Sequence, residues 1–86
     1  MAKSIIIPQG TYTVGVDFPQ GSYFFNSLDR EDVSFDLVED SNDGEYKTFN
    51  LDEENSYECR LSLRNRDYFT IDGRVQVTVA EMISFD

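Results

Sequence analysis

Residues 8–23 read PQGTYTVGVDFPQGSY, and the stretch says nearly the same thing twice. Pro8-Gln9-Gly10-Thr11-Tyr12 returns eleven positions later as Pro19-Gln20-Gly21-Ser22-Tyr23. A phosphate-cradling loop needs clustered glycines after a strand and before a helix. Here each glycine opens an alternating run and no helical pattern follows, which rules that loop out. A stacked repeat array needs more than two copies. What remains is the punctuation of a β fold. Pro fixes φ, Gly accepts positive φ, and Tyr starts the next strand.

The rest of the chain agrees. In VSFDLVED, Val33, Phe35 and Leu37 fall on one side and Ser34, Asp36 and Val38 on the other. YECRLSL points Tyr57, Cys59, Leu61 and Leu63 inward and Glu58, Arg60 and Ser62 outward. Val75, Val77 and Val79 repeat the pattern, as do Phe69 and Ile71. Period-two alternation of β-branched and aromatic residues marks half-buried strands. A strand begun near Glu45 closes with Phe49 and Leu51, and GTYTVG and GSYFFN add two more. The expectation is one all-β domain over residues 1–86, an antiparallel sandwich or jelly-roll-like fold of about seven strands. SNDGE (Ser41 to Glu45) and IDGRV, with Gly73, read as hairpin turns, and DEENS and RNRD as longer loops. A short turn over Leu28 to Asp32, capped by Ser27, is the nearest thing to a helix.

Composition sets further bounds. A chain of 86 residues hides roughly 60–65% of its unfolded surface, so its core is thin and leans on seven Phe and five Tyr. The sequence has no His, which removes the usual general base and the commonest metal ligand. Cys59, the single cysteine, has no internal disulfide partner. The apolar part of MAKSIIIP is too short for a signal peptide and no later run would span a bilayer. These features predict a cytosolic protein without cofactor; a chain trimmed of a leader, and so extracytoplasmic, would look the same.

The stretch YTVGVDFPQGSYFF also resembles a motif of small Firmicute β domains, Gly-x-Tyr-x-Val-Gly-x-Asp-Ile-Pro-x-Gly-x-Tyr. Tyr12, Val14, Gly15, Asp17, Pro19, Gly21 and Tyr23 match it, with Phe18 in place of Ile. LRNRDYFTIDGRVQVTVA is similar to that family's later signature through Leu63, Asp67, Tyr68, Ile71, Val75 and Val77, with Arg66 where the family has Gly. The resemblance spans both ends of the chain and not its acidic middle. It implies a compact all-β domain of the kind attached to bacterial surface proteins and lipoproteins, with no catalytic residues to carry over. A structural or adhesive module of a cell envelope is one function it implies.

Charge points elsewhere. The chain has 17 acidic and 7 basic residues, a net charge of −10. Twelve acids lie between Asp29 and Glu58, opposed by Arg30 and Lys47 alone, so this segment carries the whole excess. SNDGE would lie at one end of the sheets, and DREDV and DEENS at the other. Carboxylates displayed this way could imitate phosphates, which a duplex carries at one charge per ~1.7 Å of axis. A short acidic β protein of this kind resembles phage-encoded DNA-mimic inhibitors, anti-CRISPR proteins among them. The expected partner is then a basic nucleic-acid-binding protein of the host cell, such as a CRISPR effector nuclease. It would be met by Asp29, Glu31, Asp32, Asp40, Asp43, Glu45, Asp52, Glu53 and Glu54, with Phe24 as an outward apolar contact. The plain alternative is a solvated face that keeps a small protein soluble.

Other chemistries fit less well. DSNDGE lacks the spacing of an EF-hand, since Gly44 is fifth and Leu51 twelfth from Asp40, which leaves only weak, loose calcium binding open. Exposed turn acids have no apolar pocket to raise a catalytic pKa, so no enzyme is expected. Cys59, inward and near acids, reads as a core thiol. Tyr12, Tyr23, Phe24 and Phe25 at strand spacing read as core plus its edge rather than a binding platform. Arg60, Arg64, Arg66 and Arg74 are too few for direct nucleic-acid binding. Exposed edge strands leave a homodimer open.

Overall fold

A computed structural model describes residues 4–40 and 43–81. Eight strands form: β1 Ser4–Ile7, β2 Gly10–Thr13, β3 Gly21–Ser27, β4 Val33–Glu39, β5 Glu45–Leu51, β6 Glu58–Leu63, β7 Tyr68–Ile71 and β8 Val75–Glu81. They make two four-stranded antiparallel sheets, ordered β1-β8-β3-β6 and β2-β7-β4-β5. That order is the jelly roll, two interleaved Greek keys. No helix among the described residues is long and apolar enough to cross a membrane.

The strands form where alternation places them, because each must bury one face. Val33, Phe35 and Leu37 of β4, Phe69 and Ile71 of β7, and Phe25 and Tyr23 of β3 are all buried. Phe35 stacks on Phe69 with ring centroids 4.6 Å apart, and Phe25 from the opposite sheet meets both, at 4.7 and 5.4 Å. Such ring pairs add to plain area burial and join the two sheets.

The repeated pentapeptide opens one strand in each sheet. Gly10 begins β2 and Gly21 begins β3. In each copy the tyrosine hydroxyl donates to the proline carbonyl four residues back, Tyr12 to Pro8 at 2.6 Å and Tyr23 to Pro19 at 2.5 Å. The ring thereby lies over its own glycine. A Cβ on Gly10 would meet the Tyr12 ring at 3.7 Å, at a backbone φ of +156° that side chains avoid. Between the copies, Phe18 sets its ring against both tyrosines, at 5.8 and 6.1 Å. Asp17 accepts from Thr13 N at 2.8 Å and holds the intervening turn.

Four expectations change. β1 is an eighth strand, in a segment weighed only as a signal peptide and found too short for one. IDGRV is not a hairpin, because β7 and β8 belong to different sheets. Gly73 serves a crossing between sheets, where an added Cβ would come within 3.0 Å of Val33 Cγ2. Ser27 caps nothing; its hydroxyl is buried without a hydrogen-bond partner among the described residues. Residues 28–32 form a turn, with Glu31 N donating to Leu28 O at 3.0 Å. DEENS, expected as loop, holds a one-turn 3-10 helix at Glu53–Asn55. The SNDGE turn joins β4 to β5 as a hairpin, although Ser41 and Asn42 lie outside the described residues.

Two cross-strand rows matter below. On the outer face of the β2-β7-β4-β5 sheet, Thr13, Tyr68, Val38 and Tyr46 stand side by side. The next row is Thr11, Thr70, Asp36 and Thr48. At the edge of the other sheet, β1 runs antiparallel to β8 with Ser4 opposite Thr78. The start of β1 and the finish of β8 therefore emerge together.

Candidate functional site

Topology sends every crossing of the acidic middle to one end of the sandwich. Loop 28–32 carries the chain from β3 to β4, loop 52–57 from β5 to β6, and loop 72–74 from β7 to β8. Register puts Ser27 beside Val75, Val33 beside Leu51 and Asn26 beside Glu58, so the three loops share that end. Together they hold seven carboxylates against two arginines, Arg30 and Arg74.

The two principal loops are held to each other. Ser27 N donates to Tyr57 O at 2.9 Å, tying the foot of one to the close of the other. Within 52–57, Asp52 is an N-cap, accepting from Asn55 N at 3.2 Å and Asn55 Nδ2 at 2.9 Å. Capping satisfies donors that a helix start leaves orphaned. Tyr57 N returns to Asp52 O at 2.8 Å, with Ser56 and Tyr57 both in left-handed backbone at φ +56°. In loop 28–32, Asp29 and Arg30 are also left-handed, at φ +55° and +54°. Arg74 reaches Asp29 across 3.4 Å. The outcome is an open, polar depression lined by Asp32, Asp52, Glu53 and Glu54 with Arg30 and Tyr57.

The ten candidate residues therefore divide. Asp29, Glu31, Asp32, Asp52, Glu53 and Glu54 gather at this end. Asp40, Asp43 and Glu45 lie at the opposite end, around the β4–β5 hairpin. There the field is partly cancelled: Arg66 stands 3.9 Å from Asp40, and Lys47 pairs with Glu39 at 2.7 Å. Glu39 holds the Lys47 ammonium above its usual pKa, by hydrogen bond first and by charge second. Phe24 does face outward, but it is half-buried and one ring face is taken by the Arg60 guanidinium, 5.5 Å from its centroid.

Several acids have local duties that composition did not reveal. Asp52 is one. Asp72 accepts from Ser34 N at 2.8 Å, and Asp67, 1% exposed, accepts from Arg64 N at 3.0 Å. Side chains that bond a nearby backbone amide are the general reason Asp favours turns. Tyr57, expected inward, instead edges the depression; its left-handed φ breaks the alternation on which that expectation rested.

The remaining chemistry is spare. Burial pushes the Cys59 thiol up to about 12, with Glu58 adding to the effect, so the sulfur stays protonated and unreactive near neutrality. Among the described residues no three Cys, Asp or Glu side chains converge in a way that could hold a metal ion. No protein family, curated protein or solved structure matches the chain.

Proposed function

We propose that this protein is a non-enzymatic, phage-type inhibitor that works in the host cytosol. It places loops 28–32 and 52–57 in the basic channel of a nucleic-acid-binding enzyme, of the CRISPR effector nuclease kind, and excludes the nucleic acid. One observation carries this reading: the crossings of a two-sheet fold bring Asp32, Asp52, Glu53 and Glu54 around one open depression. Asp29 and Glu31 extend the same surface along loop 28–32. Charges held on short, mutually bonded loops offer a fixed negative pattern to a groove built for phosphates. Attraction of this kind speeds encounter and weakens with salt, the Debye length falling to about 8 Å at physiological strength.

Competition tests it. With excess protein at about 50 mM salt, a CRISPR effector nuclease should lose affinity for its DNA, and raising the salt should restore it. Full DNA affinity under those conditions sinks the reading for that target class. The reversal variant is Asp32→Lys with Glu53→Lys and Glu54→Lys, which spares the capping Asp52. It should fold normally and compete at least about tenfold less well. Unchanged competition would move the contact off this end.

A further inference from the structure

The outer face of the β2-β7-β4-β5 sheet carries little charge. In a chain of net charge −10, its two rows carry one charge, Asp36. Tyr68 and Tyr46 stand there 40% and 62% exposed, on the two strands that flank β4, with Val38 between them. Neither ring packs on another ring and neither hydroxyl is engaged among the described residues. The other tyrosines are occupied: Tyr12 and Tyr23 clasp their prolines, and Tyr57 closes the acidic loop.

Geometry narrows what such a face takes. Neighbouring strands lie about 4.8 Å apart, so backbone positions on β7 and β5, which carry the two rings, stand about 9.6 Å apart along a line crossing the strands. Alternate sugars of an extended β-1,4-linked chain recur at about that interval. Pyranose rings present C–H bonds on their faces, which suit an aromatic platform, and hydroxyls around their rims. The adjoining row supplies partners for those hydroxyls: Thr70, whose hydroxyl pairs with that of Thr11 at 2.9 Å, Asp36, and Thr48, which donates to Asp36 at 3.0 Å, each keeping acceptor capacity to spare. Net charge sets the remaining condition. A polyanion, whether uronate, sulfated glycan or nucleic acid, is repelled by this molecule, whereas a neutral chain is not.

We infer that this sheet face binds a neutral, extended β-1,4-linked glycan laid across β7, β4 and β5. Tyr68 and Tyr46 stack on alternate sugars, and Thr70, Asp36 and Thr48 hydrogen-bond the sugar hydroxyls beside them. The site uses none of the loop carboxylates and stands apart from the inhibitor reading.

Titration calorimetry with cellohexaose tests this. The oligosaccharide should bind saturably, at least about tenfold tighter than cellobiose and with little change between about 50 and about 500 mM salt. Tyr46→Ala and Tyr68→Ala should each weaken binding at least about tenfold, while Tyr46→Phe and Tyr68→Phe retain it. Thr70→Lys, at an exposed position, blocks the same path and guards against a tyrosine variant that fails to fold. The triple loop reversal should bind cellohexaose like the unaltered protein, so failure of the inhibitor reading leaves this one standing. No saturable binding of cellohexaose overturns the proposal. So does equal affinity for hexagalacturonate, or affinity unmoved by both alanine variants. Sedimentation showing that those variants split a dimer would assign the face to a second copy instead and also overturn it.

Discussion

Arg66 keeps its backbone at φ +79°, in the left-handed region where a Cβ is crowded. It does so because the following residue is pinned: Asp67 is buried, bonded to Arg64 N, and its carbonyl accepts from Val14 N at 2.8 Å. Glycine would hold that angle without strain. The guanidinium offers little in return, since its 3.9 Å approach to Asp40 is exposed and such pairs add little. Arg66→Gly should therefore be neutral to stabilising, by up to about 1 kcal/mol, strain relief being offset in part by a freer unfolded chain. Urea denaturation checks it, and a loss above about 1 kcal/mol would show that the side chain matters more than the strain. Left-handed residues were the least legible feature of the chain. Asp29 and Asp43 belong to a type that tolerates such backbone, but Arg30, Ser56, Tyr57 and Arg66 do not announce it. Their angles go with backbone bonds of the loops, such as Tyr57 N to Asp52 O at 2.8 Å and Arg66 N to Val14 O at 2.9 Å, which residue type does not disclose.

Strands were legible wherever one face is buried, because alternation records burial directly. β4, β7 and β8 lie where Val33, Phe35, Leu37, Phe69, Ile71, Val75 and Val77 place them. β1 escaped notice because Ser-Ile-Ile-Ile does not alternate. It pairs through its backbone to β8 and leaves Ile5 and Ile6 exposed. The link from β7 to β8 escaped for another reason: a short run with Gly suits a hairpin and a crossing between sheets equally well. Only the structure shows that Gly73 is demanded by Val33, 3.0 Å from the missing Cβ. Gly73→Ala should cost about 1–3 kcal/mol by overpacking against a stiff β-branched side chain. Paired with Val33→Ala, which opens the space, its cost should shrink. A double-mutant cycle with no coupling between the two positions would refute that cause.

At the scale of the molecule, charge position was partly legible. Counting acids located the excess in residues 29–58, but assigning six candidates to one end and three to the other required knowing which strands change sheets. Crowding seven carboxylates on loops 28–32, 52–57 and 72–74 raises the energy of the folded chain through self-repulsion. Screening should relieve it. The melting temperature is expected to rise between about 20 and about 500 mM sodium chloride, by about 4–8 °C per kcal/mol relieved. The triple reversal should flatten that rise, and a melting point that falls or stays level with salt would contradict the crowding. The pairing of β1 with β8 sets how the fold meets a mechanical load. Stretched from the start of β1 and the finish of β8, the molecule would feel force at the mouth of the β1–β8 ladder, whose rungs then open one after another while β3 holds the other side of β8. Fibres that bear tension load many rungs at once. Here the start of β1 and the finish of β8 lie on neighbouring strands, so a pull on them is expected to load the rungs in turn.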